Sequence, residues 1–159
     1  MTIAYNIKEN SLHDKFQKSR AKVQVFGGGF GNGKSAALCI KALIMGNKYP
    51  GANILLARST FPKLNSTLRV EFEKWCPKGS IKRNVNSKEN FIELHNGTRF
   101  NFSYVAQQGK SNESSTSNLL SATYDAILID QVEDPEITYK DFLDLLGRLR
   151  GSTRRLGRS

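Results

Sequence analysis

Short apolar blocks separated by polar residues run through the chain, and their lengths predict an alternation of strands and helices. The runs Val23–Phe26, Asn53–Arg58 and Tyr124–Asp130 have the length and content of buried strands. The stretch Ser35–Met45 is apolar on nearly every side, with Lys41 as its polar interruption, which is typical of a helix buried in a core. Strand, helix and strand in this order predict an α/β fold whose central sheet is mostly parallel and has helices on both faces.

Turn signals and apolar stripes complete the predicted elements. Asn96-Gly97 lies between the alternating segments Phe91–His95 and Thr98–Tyr104, and this dipeptide is the strongest short signal for a β-hairpin. We therefore predict an antiparallel β-hairpin insertion, joined by a third antiparallel strand at Ile81–Val85. Residues 107–122 are predicted to form a mobile loop, and helices are predicted at Leu12–Lys18, from Phe61 to Trp75, and at Thr138–Leu149.

A glycine-rich segment, here called the glycine loop, links the first predicted strand to the buried helix. It fits the pattern G-x-x-x-x-G-K-[ST] at every fixed position, with the residues Gly28, Gly29, Phe30, Gly31, Asn32, Gly33, Lys34 and Ser35. Such a loop lets backbone N–H groups surround a phosphate, and the following helix adds partial positive charge at its N-terminus. Lys34 is then expected to reach the β- and γ-phosphates of ATP, and the Ser35 hydroxyl to bind Mg²⁺.

The strand that ends at Asp130 supplies a second chemical signal. Ala126–Ile129 is apolar and Asp130 follows it, which is the pattern of a Walker B strand whose acid binds Mg²⁺ directly or through water. Hydrolysis also needs a group that orients or deprotonates water. Gln131 and Glu133 are the candidates, Gln131 through its amide and Glu133 as a general base. We prefer Glu133, for which the alternative is a solvated acid in a polar loop.

Arginine side chains complete the set of candidate catalytic residues, since cations stabilise charge on a transferring phosphoryl group. Arg58, Arg148 and Arg150 could do this within the chain or from a neighbouring subunit, and Arg148 is the one we place in the site. Taken singly, each has the ordinary alternative of a surface or structural arginine.

The composition fits one globular domain with a polyanionic partner. The chain has 159 residues, enough for a single core. Lys and Arg number 24 against 14 Asp and Glu, giving a net charge of +10, which favours nucleic acid as a partner; the alternative is a basic domain that binds none. Residues 151–159 form a basic tail.

Cys39 and Cys76 lack metal-site spacing and are interpreted as reduced structural thiols. The sequence shows no signal peptide or transmembrane stretch, which predicts a cytoplasmic protein.

Three segments in this order resemble one protein family, the large subunit of phage terminases. They are the glycine loop with Phe26-Gly27 before it, Leu55–Thr60, and Ile129–Glu133 followed by Arg148-Leu149-Arg150. The resemblance runs from about Ser11 to Arg150. Terminases package viral DNA into empty procapsids, and their large subunit has an N-terminal ATPase domain and a C-terminal nuclease domain.

The resemblance implies that residues 1–159 are the ATPase domain of a longer protein, with a P-loop NTPase fold of the ASCE type and without the nuclease domain. The implied cofactors are ATP and Mg²⁺. The implied partners are double-stranded DNA, the portal protein, the small terminase subunit and further copies of the chain in a ring. The implied location is the host cell cytoplasm, with no membrane involved. This chain alone is expected to be a monomer.

Three positions need comment within this resemblance. A glutamine before the loop reads adenine in the family, and Gln17 matches it here, or His13 if small gaps shift the alignment. Phe30 stands where an arginine is common. Gln131 stands where a glutamate is usual, which leaves the choice between Gln131 and Glu133 open.

Two other functions are compatible with the sequence. Another nucleic-acid translocase or a helicase would share the nucleotide site, although a helicase is expected to carry further motifs in a second domain. The other is a non-catalytic nucleotide-binding module, because Gln131 replaces the usual acid. An assay of ATP hydrolysis separates such a module from both enzymes.

Overall fold

A five-stranded mixed sheet forms the centre of the protein, in a computed structural model that describes residues 6–29, 31–87, 89–105 and 122–149. Four sequence predictions therefore fall outside the described residues: Phe30 in the glycine loop, residues 107–121 of the predicted mobile loop, Arg150, and the basic tail 151–159.

The strands are β1 (Asn53–Arg58), β2 (Ile81–Val85), β3 (Phe91–Leu94), β4 (Arg99–Tyr104) and β5 (Ala126–Ile129). They lie in the order β2-β3-β4-β1-β5. β1 is parallel to both of its neighbours, β4 and β5, whereas β2, β3 and β4 pair in antiparallel fashion. The hairpin prediction is confirmed by β3 and β4. It is not a separate insertion, however, because β4 pairs with β1, so the sheet is mixed where a mostly parallel one was predicted.

The helices are α1 (Leu12–Lys18), α2 (Lys34–Lys48), α3 (Phe61–Lys63), α4 (Arg69–Trp75) and α5 (Tyr139–Leu146), with a 3-10 turn at Lys78–Ser80. A π-helical turn, Leu64–Leu68, joins α3 to α4 without a break. The α5 helix begins at a capping box, in which the Thr138 side chain accepts from the Asp141 N–H and the Asp141 carboxylate accepts from the Thr138 N–H. None of the helices in the described part of the chain is long and apolar enough to cross a membrane.

Helices pack on both faces of the sheet, and β1 shows why. Its side chains alternate between the two faces, as in any strand. Ile54 and Leu56 belong to the larger core, which includes residues of α2, the π-helical turn and α4. Leu55 and Ala57 belong to a second core with Leu145 of α5. A central strand that is apolar on both sides therefore accounts for the three-layer arrangement predicted from the sequence.

The prediction of a strand at Val23–Phe26 is wrong. The segment is not part of the sheet, and its Val23 and Val25 side chains are 57% and 82% exposed. A strand forms only where a neighbour accepts its hydrogen bonds, and β5 pairs with β1 alone among the described strands. The Gln24 amide instead donates to the carbonyls of Ser19 and Ala21, so the segment is held close to the end of α1.

The α2 helix approaches the sheet very closely at Gly46. A Cβ atom there would lie 2.5 Å from Phe100 Cζ and 2.9 Å from Thr98 Cγ2. The Gly46 carbonyl accepts hydrogen bonds from Thr98 Oγ1 at 2.8 Å and from Asn96 Nδ2 at 2.9 Å. Because Asn96 and Thr98 belong to the β3–β4 turn, that turn caps the last carbonyls of α2 and fixes the helix that begins at the glycine loop.

Both cysteines are free and buried. Cys39 lies on α2 in the larger core, and Cys76 follows α4 in the same core. Burial raises the pKa of both thiols, that of Cys76 to about 11. These properties agree with their interpretation as structural thiols.

Candidate phosphate-binding site

The glycine loop leads directly into α2, and Gly33 is the N-cap of the helix. Gly31 and Gly33 have φ angles of 78° and 65°, in the left-handed region that costs other residues about 1–2 kcal/mol. The first backbone N–H groups of an α-helix have no intrahelical partner, and Gly33 provides no side chain that could accept from them. This end of α2 therefore has the donors and the partial positive charge that suit an anion.

The Lys34 ammonium is folded back onto the glycine loop. Its Nζ atom donates to the carbonyl oxygens of Gly28 and Gly29, at 2.6 and 2.8 Å. A phosphate in the loop would compete with these carbonyls for the three ammonium hydrogens. Lys34 thus lies over the loop already, and it would meet a phosphate by changing hydrogen-bond partners.

Ser35 and Asp130 meet at the N-terminus of α2, although 95 positions separate them in the sequence. The Ser35 hydroxyl lies 3.1 and 3.0 Å from the two carboxylate oxygens of Asp130. Asp130 follows β5 directly, its N–H donates to the Ala57 carbonyl of β1, and its side chain is buried. The two residues predicted to bind Mg²⁺ are therefore neighbours.

Arg58 is a second buried neighbour of Asp130. It ends β1, and its Nε atom lies 3.7 Å from Asp130 Oδ2, with the two side chains 8% and 5% exposed. This Nε atom has no hydrogen-bond partner among the described residues, while Nη1 donates to the Lys63 carbonyl at 3.4 Å. Of the three arginines predicted as catalytic candidates, Arg58 is the one whose contact with the predicted acid is described, and it faces Asp130 from inside the protein.

The residues predicted to handle water lie on the loop after β5. Gln131 has a φ angle of 56°, an uncommon conformation for a residue other than glycine and one that clusters at functional sites. Its carbonyl accepts from the Asp134 N–H at 3.0 Å, which closes a tight turn. Glu133 is exposed in that turn. Both candidates line the same cleft as Asp130, and the choice between them stays a prediction.

Asp134 connects this loop to the corner after β1. Its Oδ2 atom accepts from Ser59 Oγ at 2.8 Å and from Lys63 Nζ at 2.8 Å, and Lys63 also donates to Glu136 at 2.9 Å. The hydrogen bonds from Lys63 and then Ser59 lower the pKa of the Asp134 carboxyl to about 2. No motif in the sequence distinguishes Asp134 from the other acids of this loop. Its partners could have been sought among the residues that follow a neighbouring parallel strand, because parallel strands end at the same edge of a sheet.

The α1 helix contacts the glycine loop and α2 through Gln17, the residue predicted to read adenine, and His13, its alternative. His13 Nε2 is hydrogen-bonded to the Asn32 carbonyl at 2.8 Å, and Gln17 Nε2 donates to the Ala37 carbonyl at 2.7 Å. Gln17 Oε1 is buried without a partner among the described residues. Both side chains therefore anchor α1 to the loop and to α2 here, and their role towards adenine stays a prediction.

Arg148 is not brought to Asp130 within this chain. Its backbone carbonyl accepts from the Tyr124 N–H at 2.9 Å, and Tyr124 precedes β5, whereas Asp130 follows it. A contribution of Arg148 to a neighbouring subunit's site stays a prediction.

Three basic side chains on β2 and β4 are candidates for contact with DNA, and each is paired with an acid. Lys82 lies 3.0 Å and Arg83 3.9 Å from Glu93, and Arg99 lies 3.5 Å from Glu89. Exposed pairs of this kind contribute about 0–1 kcal/mol and exchange readily. Contact of these side chains with DNA stays a prediction.

A cleft of about 430 Å³ brings four of the predicted catalytic residues together. It lies between residues 21–26 and the outer edge of β5, and most of its wall is apolar, with Leu38 and Met45 from α2 and Leu145 from α5. Its polar lining includes Lys34, Asp130, Gln131 and Glu133. A concave site with few convergent polar groups is typical of ligand pockets.

Ser35 and Asp130 fit a Mg²⁺ ion by the chemistry of their donor atoms. Mg²⁺ prefers oxygen ligands, and at phosphate sites one or two protein groups hold it while water and phosphate oxygens complete the shell. A hydroxyl and a carboxylate that already share a hydrogen bond meet this requirement. Across the described ranges, no group of three or more His, Cys, Asp or Glu side chains could hold a metal ion.

Comparison with protein-family models, curated proteins and solved structures finds no match to the chain. What can be concluded about its function therefore depends on the chain's own residues.

Proposed function

We propose that the chain binds and hydrolyses ATP with Mg²⁺ at the glycine loop, and that it is the motor domain of a terminase large subunit, which drives double-stranded DNA into a procapsid. The hydrogen bond between Ser35 and Asp130 carries the first part of this proposal. It joins the two predicted motifs at the N-terminus of α2. A glycine turn that preceded Lys34-Ser35 by chance would give no reason for a buried acid to meet the serine.

Each side chain has a defined task at this site. The loop backbone and the first N–H groups of α2 bind the phosphates, and Lys34 exchanges the Gly28 and Gly29 carbonyls for phosphate oxygens. Bound Mg²⁺, held by Ser35 and Asp130, would neutralise charge on the phosphates. Gln131 or Glu133 would orient or deprotonate the attacking water.

The motor part of the proposal depends on the family resemblance and on the charge of the chain. A net charge of +10 favours binding to the DNA phosphates with little sequence preference. The portal protein, the small terminase subunit and the ring of identical chains are proposed from the resemblance alone.

The first experiment compares Lys34→Ala with Lys48→Ala, which removes an exposed lysine from the other end of α2. Lys34→Ala is expected to abolish ATP hydrolysis while the far-ultraviolet circular dichroism and the melting temperature stay close to wild type. Lys48→Ala is expected to keep its activity. Equal hydrolysis by Lys34→Ala and wild type, at the same folded fraction, would refute the glycine loop as the ATP site.

A second set of variants tests whether Gln131 or Glu133 orients or deprotonates the attacking water. Asp130→Asn is expected to weaken Mg²⁺-dependent nucleotide binding. Glu133→Gln is expected to bind ATP and to lose turnover. An active Glu133→Gln with an inactive Gln131→Ala would assign the water to Gln131, and wild type that binds ATP without turnover would support the non-catalytic module.

A third experiment titrates a labelled DNA duplex with the protein at several salt concentrations. The logarithm of the association constant should fall with the logarithm of salt concentration with a slope of about −0.9 per phosphate neutralised. A slope near zero, or no binding at low salt by the complete large subunit, would refute the DNA motor and leave the ATP site untouched.

A further inference from the structure

We propose that Asp134 is a positioning residue, which fixes the loop carrying Gln131 and Glu133 to the corner between β1 and α3 and thereby sets the rate of the chemical step. This inference rests on the proposed ATP hydrolysis. It assigns a role to a residue that contacts neither the glycine loop nor Asp130 in the hydrogen bonds of the described structure.

The carboxylate of Asp134 accepts three hydrogen bonds that hold the loop after β5. One oxygen accepts from Ser59 Oγ and Lys63 Nζ, both at 2.8 Å. The other accepts from the Glu136 N–H at 3.2 Å. The Asp134 N–H donates to the Gln131 carbonyl and its own carbonyl accepts from the Ile137 N–H. One side chain thus organises both turns of the loop and joins them to the neighbouring strand end.

The corner that receives Asp134 is tied to the sheet. Ser59 is fully buried and directly follows β1, the central strand of the parallel part of the sheet. Lys63 ends α3, and its carbonyl accepts from Arg58 Nη1 at 3.4 Å. The same strand end thus holds two acids, Asp130 through Arg58 and Asp134 through Ser59. The loop between these acids contains Gln131 and Glu133.

The loop needs such an anchor, because its own residues hold it weakly. Val132 is 42% exposed, Glu133 and Glu136 are exposed, and Gln131 has a left-handed backbone that must be imposed by its surroundings. A shift of about 1 Å in a group that orients a reactant can lower the rate about a hundredfold. Release of Asp134 is therefore expected to affect turnover much more than nucleotide binding, which uses the other side of the cleft.

The test measures three quantities on the full chain: kcat with KM for ATP, the affinity for a fluorescent ATP analogue, and hydrogen exchange of residues 131–137. Asp134→Ala should lower kcat ten- to a hundredfold, leave analogue affinity near wild type, and speed exchange in this loop. Asp134→Asn keeps an acceptor oxygen and should restore part of the rate. Ser59→Ala removes the hydroxyl that donates to Asp134, and it should lower kcat in the same direction with a smaller effect.

Glu136→Gln is the matched control, because it removes a carboxylate from the same Lys63 without removing the bond to Ser59. It should keep a rate near wild type. A wild-type rate in Asp134→Ala, a loss of analogue affinity that parallels the loss of kcat, or an equal loss in Glu136→Gln would overturn the positioning role. Unchanged exchange in both Asp134→Ala and Ser59→Ala would overturn the anchoring itself, whatever the activity. A wild-type chain without ATPase activity would instead refute the proposed function, and with it the effect on rate.

Discussion

The close approach of α2 to the sheet at Gly46 gives a sharp prediction about stability. In an exposed helix interior, Gly→Ala raises stability by about 1 kcal/mol. At Gly46 the new methyl group would lie 2.5 Å from Phe100 Cζ and 2.9 Å from Thr98 Cγ2. Neither neighbour can retreat, since both are 0% exposed, the Phe100 ring packs on Phe72 at 4.8 Å between centroids, and the Thr98 hydroxyl is bonded to Gly46.

The magnitude follows from these opposing effects. Overpacking of a core costs about 1–3 kcal/mol, and two simultaneous overlaps with a strained hydrogen bond place Gly46→Ala at the upper end. Subtracting the helix gain of about 1 kcal/mol leaves a net loss of about 2 kcal/mol. For a domain of this size the melting temperature should fall by roughly 4–8 °C.

The assay is thermal and urea unfolding of Gly46→Ala beside Gly147→Ala. Gly147 has a helical φ of −63°, and its nearest foreign atom to a new Cβ is the Asp144 carbonyl oxygen at 3.4 Å. Alanine should fit there and keep or raise the unfolding free energy by up to about 1 kcal/mol. Phe100→Leu should cost less in the Gly46→Ala protein than in wild type, because it makes room for the methyl group. A Gly46→Ala protein more stable than wild type would show that α2 does not lie against β4 as described.

Three further results are expected. The pKa of the Asp134 carboxyl is about 2 in the folded chain and 3.8 ordinarily, so the unfolded chain binds the proton more readily. Its stabilising effect is therefore complete above about pH 5 and is lost towards pH 2. The melting-temperature difference between wild type and Asp134→Asn should shrink over that range. Thr138→Ala removes the N-cap of α5 and should lower the unfolding free energy in urea by about 1 kcal/mol. Gln131→Gly should change that free energy by less than about 1 kcal/mol, since relief of the left-handed backbone is offset by the entropy of glycine.

The elements with local signals could be predicted from the sequence. The α1 helix begins after Ser11, whose hydroxyl accepts from the Asp14 N–H, and the β3–β4 turn follows the Asn96-Gly97 dipeptide. The strand β1 was predicted with its observed bounds, because the apolar run Ile54–Ala57 has a polar residue at each end and a turn before it. Capping, alternation and turn chemistry all act within a few residues, so they are visible in the chain itself.

Features that depend on distant partners could not be predicted. Val23–Phe26 has the content of a strand, but a cleft separates it from the outer edge of β5, and it does not join the sheet. Asp134 resembled a solvated acid because Ser59 and Lys63 lie 75 and 71 positions away. The π-helical turn at Leu64–Leu68 has no local signature. Within the candidate site, the glycine loop and Asp130 were found from their patterns, whereas the contact of Arg58 with Asp130 needed the register of two strands.

The two buried cysteines have a practical consequence for measurements of motion. A thiol reacts with a maleimide as its thiolate, and burial together with a raised pKa keeps Cys39 and Cys76 in the thiol form at neutral pH. The whole chain contains 2 cysteines, so a single substitution at an exposed position, such as Glu133→Cys or Ser66→Cys, should create the one site that a dye labels. A fluorophore at residue 133 would report the movement of the loop after β5 when nucleotide is added, with both native cysteines left in the core.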